Sequence, residues 1–115
     1  MMNARETNIV LRQKVRTEFA LFRKKLLSQN PQFVLDHAYE YATKSDMVTL
    51  INETEFTAEE ARAMLTKPKV LDALFKEYGN HSSNSMDVLV CFMKDKAEEF
   101  AVEYHNRVSA PMGVR

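Results

Sequence analysis

The sequence predicts an all-α fold, a single compact orthogonal array of about six helices in which two long ones, N- and C-terminal, frame four short ones. Three observations predict it. The 115 residues include only two glycines, and no Asn-Gly, Asp-Gly or Gly-Gly pair is present to make the tight hairpins that a β-rich chain of this size needs. Apolar residues recur instead at steps of three and four, the period of one helix face. At 45% hydrophobic residues, one self-sufficient core is within reach at close to the commonest domain size.

The first helix runs from about Thr7 to Ser28, with Leu11, Val15, Phe19, Phe22 and Leu26 on one stripe. Asn30-Pro31 reads as a cap followed by proline at the first helical position, where its missing N–H costs nothing. Val34, Leu35, Ala38, Tyr41 and Ala42 then form the inward face of a second helix. Ser45 is placed to cap a short third helix, Asp46 to Asn52, whose acidic start suits the helix dipole. The polar set from His37 to Asp46 is accordingly read as capping and orienting short helices.

Thr57-Ala58-Glu59-Glu60 is a capping box, with Phe56 at the staple position in front of it. The helix it opens ends near Leu65. Another follows from about Pro68 to Tyr78, with Val70, Leu71, Leu74, Phe75 and Tyr78 inward and Gly79 as its stop. Gly79 to Ser85 is loop-like, and its last residues cap a final helix from Met86 to about Val108. That helix carries a core stripe of Leu89, Met93, Ala97, Phe100 and Tyr104. The ordered core spans about residues 7–108 as one domain, with a frayed tail over 109–115.

Sixteen Lys and Arg balance sixteen Asp and Glu, so no net field draws the molecule towards nucleic acid or a membrane. Along the chain the balance fails. Residues 1–28 hold seven basic residues against two acidic ones, and residues 29–66 hold seven acidic against two basic. Arg5, Arg12, Arg16 and Arg23 fall within about 40° of one another on a helical wheel. This arginine stripe either docks an acidic protein surface or phosphates, or pairs with the acidic middle of the same chain. A partner at Glu53, Glu55, Glu59 or Glu60 would make it internal. Aromatic residues do not interleave the arginines, which disfavours a single-strand nucleic-acid platform. Val88, Cys91, Phe92 and later Val102 point away from the core stripe of the last helix, so that helix is either central in the domain or offers a second candidate partner surface or, at Val88, Cys91 and Phe92, a homodimer seam.

Catalytic and metal chemistry find little support. Cys91 and His105 lie fourteen residues apart on one helix, about 20 Å at 1.5 Å per residue, too far for a nucleophile and its base. His37 and Glu40 stand three apart, half a metal site without its other half. His81 has no orienting partner in its loop. No phosphate-binding loop, dinucleotide fingerprint, nucleophile elbow or HExxH motif occurs. A lone cysteine makes no internal disulfide, no apolar run is long enough to span a bilayer, and the polar start lacks a signal-peptide core. The expectation is a cytoplasmic, non-enzymatic protein with no cofactor and no metal.

Certain residues carry a resemblance. Leu26-Leu27-Ser28-Gln29, His37-Ala38-Tyr39-Glu40 with Lys44-Ser45-Asp46, Glu60 to Leu65, Leu71 to Tyr78, and Met86-Asp87 with Lys94-Asp95-Lys96-Ala97 are similar to an uncharacterised helical domain family of gut Firmicutes and their mobile elements. The likeness covers roughly Leu11 to Glu99. The last helix departs from the pattern at Val90, Cys91 and Phe92, which marks a surface particular to this chain. The resemblance brings no activity, cofactor or catalytic residue. It implies a bacterial or phage-borne protein found near antirestriction or mobilisation functions. The function expected is therefore a protein-binding module, of the kind that inhibits a bacterial defence protein such as a CRISPR nuclease or restriction enzyme. A nucleic-acid-binding accessory protein and a self-associating structural protein are the alternatives.

Overall fold

The computed structural model describes residues 2–78 and 86–109, with side chains through Arg107. They form six helices and no strand among the described residues: α1 (Ala4–Leu27), α2 (Pro31–Asp36), α3 (Ala38–Glu53), α4 (Ala58–Leu65), α5 (Val70–Tyr78) and α6 (Met86–Ser109). The fold is all-α, as the glycine scarcity and helical periodicity predict. The Gly79 stop, the loop with His81 and the tail from residue 110 lie outside the described residues.

α4 holds the centre. It packs between α1 and α6, while α3 and α5 pack on α1, on α6 and on each other. Ala61 and Ala63, both buried, let neighbouring helices approach α4 closely, and Met64 fills the space beside them. The core around it takes Leu11 and Val15 from α1, Met47 and Ile51 from α3, Val70, Leu71, Leu74 and Tyr78 from α5, and Leu89, Met93, Ala97 and Phe100 from α6. The Thr57–Glu60 capping box forms as the sequence predicts, with both reciprocal bonds made, at 2.9 and 3.0 Å. Phe56 is buried in front of it.

Three boundaries differ from the sequence reading. α1 begins at Ala4 rather than Thr7, because Asn3 and Glu6 make a second capping box. The break after α2 falls at His37 and not at Ser45, so α3 is sixteen residues long and the fold has three long helices and three short ones. Ser45 lies inside α3, where its carbonyl accepts the Thr49 hydroxyl. The packing decides this: Thr43, Lys44, Met47 and Ile51 form one continuous buried stripe that a break at Ser45 would interrupt. Of the face expected inward, Val34 and Tyr41 are half-buried, Ala38 and Ala42 are exposed, and Leu35 is 70% exposed.

The third difference is at α5, which begins at Val70 rather than Pro68 because its cap comes from another helix. The Glu18 carboxylate of α1 accepts the backbone N–H of Leu71 at 2.9 Å and of Asp72 at 3.0 Å. One turn earlier on α1, the Lys14 ammonium donates to the carbonyls of Leu65 and Lys67 at the C-terminal end of α4. A cation thus meets a helix C-terminus and an anion a helix N-terminus, each complementing the local dipole and its orphan backbone groups. α1 thereby fixes the connector between α4 and α5. Among the described residues, no helix is long and apolar enough to cross a membrane.

Candidate functional site

A groove of about 780 Å³ runs along α1 from Val10 to Lys25, about 22 Å at 1.5 Å per residue. Val10, Lys14, Thr17 and Leu21 repeat at steps of four, three and four along this wall. Phe33, His37, Pro68 and Lys69 also line it, and the buried Lys44 with Glu40, Asp72 and Phe22 around it forms the base. The volume lies in the range of built ligand and peptide sites rather than of packing gaps.

The base is a charge cluster. Lys44, only 3% exposed, places its ammonium 2.6 Å from Glu40 and 3.5 Å from Asp72, above the Phe22 ring at 4.2 Å. The (i, i+4) spacing brings Glu40 to it along α3, and α5 supplies Asp72. A lysine this deep needs such partners, since an unpaired buried ammonium loses its hydration without return. His37 is tied in place, its Nδ1–H donating to the Phe33 carbonyl at 2.8 Å and its ring stacked on Phe33.

Burial acts to raise the Asp72 carboxyl, but Lys76 and Lys44 together outweigh it and hold the group below its ordinary 3.8. The stabilisation from a lowered carboxyl is present above that ordinary value and is lost as pH falls through the folded one. Unfolding free energies at about pH 5 and about pH 2.5 are therefore expected to differ less in Asp72→Asn than in the wild type. Equal acid losses in the two proteins would contradict the assignment.

The lining acids are all engaged, Glu18 with α5 and Glu40 and Asp72 with Lys44. Lys25 and Lys69 are exposed and meet no carboxylate among the described residues, and Lys14 bonds only neutral carbonyls. Leu21, 62% exposed, and Val10 line the groove with them. The groove therefore presents apolar surface next to uncompensated positive charge.

The arginine stripe is divided by the fold. Arg12 turns inward: its guanidinium donates to the Thr54 carbonyl at 3.1 Å and to Glu55 at 2.8 Å. Arg16 reaches Asn52 at 3.4 Å. Arg5 and Arg23 remain exposed. Half of the stripe thus braces the end of α3 and the connector to α4, and Glu55 is one of the acidic partners that make it internal. On the last helix, Val88 and Phe92 are half-buried against the core and Phe92 packs on Tyr78, with ring centroids 5.0 Å apart. Cys91 alone of the three is exposed. Val88, Cys91 and Phe92 nonetheless line one open depression on this helix, together with Glu77, Asp87, Asp95, Lys96 and Glu99.

His105 pairs with Glu59 at 3.4 Å, and no group of three His, Cys, Asp or Glu among the described residues is placed to hold a metal ion. Composition and motif reasoning missed Lys14, Glu18, Lys69 and Asp72. The signal that could have found the groove is the string His37 to Lys44, whose His37, Glu40 and Lys44 all line it.

A family model described as protein of unknown function (DUF3848) matches residues 7–101, most of the chain. That range contains the whole groove. Comparisons with curated proteins and with solved structures give no match.

Proposed function

We propose that this chain, which belongs to the DUF3848 family, is a non-enzymatic protein-binding module that docks its partner along the α1 groove. The observation that carries the reading is the groove's imbalance: exposed Val10 and Leu21 line it together with Lys14, Lys25 and Lys69, while its carboxylates are consumed internally. The occupant that suits this surface is an amphipathic helix of a partner protein with acidic flanks. Such a helix lays apolar anchors three, four and seven residues apart into a groove of this length. Its carboxylates then steer and orient it on the lysines.

The partner class we favour is a cytoplasmic bacterial defence protein, such as a CRISPR nuclease or a restriction enzyme. Support for that class is the resemblance to domains found near antirestriction and mobilisation functions. The experiment is affinity capture from a bacterial lysate with active defence systems, using wild type and the double variant Leu21→Asp with Lys25→Glu. Both positions are exposed, so the variant is expected to keep its unfolding temperature. A defence protein retained in near-equal amount by the wild type and lost by the variant is the expected outcome. Equal retention by both would remove the groove assignment. Binding abolished by nuclease treatment would replace the protein partner with nucleic acid.

A further inference from the structure

The outward face of α6 carries a seam that complements the groove. Cys91, Asp95, Glu98 and Val102 repeat at steps of four, three and four, the same spacing as Val10, Lys14, Thr17 and Leu21 on α1. All four are exposed, Val102 by 59%. Laid antiparallel, the two sets match in one register: Val10 meets Val102, Lys14 meets Glu98, Thr17 meets Asp95 and Leu21 meets Cys91. In that register Lys25 falls opposite Asp87. Apolar residues thus sit opposite one another at both ends of the seam, and each lysine faces a carboxylate.

Alternating steps of three and four are the spacing by which two helices pack side by side. We infer that the α1 groove accepts α6 of a second copy of this chain, antiparallel to α1, in a head-to-tail contact. The inference rests on the same groove as the proposed function and names a second occupant for it.

Chemistry and topology both support this occupant. The α6 seam is itself an amphipathic stripe with acidic members, the class of helix the groove selects. Lys14 spends two of its three N–H donors on the carbonyls of Leu65 and Lys67, which leaves a third for Glu98 of the second copy. Asp95 lies within reach of the Thr17 hydroxyl in the same register. α4 stands between α1 and α6, packing against both, so the groove and the seam are separate surfaces of one molecule. A contact between two different surfaces is heterologous and builds a ring or an open chain rather than stopping at a pair. A single helix seam buries little area, so the association is weak and concentration-dependent. A partner helix in the groove would displace α6, and assembly would then compete with partner binding.

The contact is tested by sedimentation equilibrium of the full chain from about 10 μM to about 1 mM. The wild type is expected to climb from 13.3 kDa to multiples of that mass. Leu21→Asp spoils the groove and Val102→Asp spoils the seam, each at an exposed position that leaves folding intact. Each variant alone is expected to remain monomeric. Their equimolar mixture is expected to form a 1:1 dimer and nothing larger, because only one good surface is left on each molecule. Register is read from Leu21→Cys, which under mild oxidation should give a covalent ladder through Cys91, the chain's one native cysteine. Adding Cys91→Ser should abolish that ladder.

A wild type that stays monomeric throughout, or a mixture that fails to pair, overturns the inference. So does a single variant that still assembles. No partner protein enters these measurements, so their failure would leave the capture result standing, and the reverse holds as well.

Discussion

Asn8→Leu is expected to lower the unfolding free energy by about 3 kcal/mol, a fall of about 10 °C in Tm for a domain of this size. Asn8 is 1% exposed and acts as a two-way clamp. Its Nδ2 donates to the Phe56 carbonyl at 2.8 Å and to the Ala4 carbonyl at 2.7 Å, and its Oδ1 accepts the Phe56 N–H at 3.1 Å. The amide thus satisfies both backbone groups of one residue in the α3–α4 connector, from a helix 48 positions away in sequence. Leucine matches the volume but leaves the Phe56 N–H and C=O dry and unpaired, at about 1–3 kcal/mol each when buried. Asn8→Asp keeps the acceptor, loses both donor bonds and adds a buried charge, so it should be no milder. Thermal unfolding of the two variants checks this. A shift below about 2 °C in both would show that the clamp contributes nothing.

Lys44→Met is the second large effect, about 3 kcal/mol of lost stability. Methionine fills the lysine's space against Phe22 and Phe75, so the loss isolates the charge rather than a cavity. Without the ammonium, Glu40 keeps its position in the groove base with no counter-ion, and Asp72 retains only Lys76 at 3.2 Å. Breaking a buried pair by removing one partner is far more damaging than replacing the whole group with apolar residues. The double variant Lys44→Met with Glu40→Leu is therefore expected to recover at least half of the loss. Urea unfolding of the single and double variants reads this directly. A neutral Lys44→Met would mean that the cluster only lines the groove and does not hold it open.

What the sequence disclosed follows from how local each signal is. The Thr57–Glu60 box needs only four consecutive residues, and the Leu89-to-Phe100 stripe only one helix; both form as read. Lys44 could not be read as interior, because the carboxylate that helps to neutralise it stands 28 residues downstream on α5. Ser45 ahead of the acidic Asp46 reads locally as a cap, and nothing nearby in sequence shows that the helix continues through it. Once Asp72 is in place, Lys44, Met47 and Ile51 form one buried stripe and the helix runs through Ser45.

The site was legible in fragments. The polar run from His37 to Asp46 contains Glu40 and Lys44 but reads as capping short helices, and His37 with Glu40 reads as half a metal site, not as groove lining. The start of α5 could not be placed because its cap, Glu18, sits on another helix. The wheel drew four arginines on one edge, and only the tertiary fold shows that Arg12 and Arg16 are turned to Glu55 and Asn52. A charge reversal of Arg12 with Arg16 therefore cannot serve as a silent probe of partner binding, since it strikes the α3–α4 connector. Val88 and Phe92 look outward on a wheel, and the Tyr78 ring from α5 leaves Phe92 half-buried at the edge of the depression they share with Cys91. Each of these failures has one cause, a partner distant in sequence.

The most direct measurement of the central claim is site-specific photo-cross-linking. A benzophenone amino acid would be placed at Leu21 in the groove and, separately, at Arg5 on the exposed arginine edge, and each protein irradiated in bacterial lysate. The groove reading predicts a discrete adduct with one other protein from position 21 and none from position 5. An adduct from position 5 alone, or adducts from position 21 only with further copies of this chain, would contradict it.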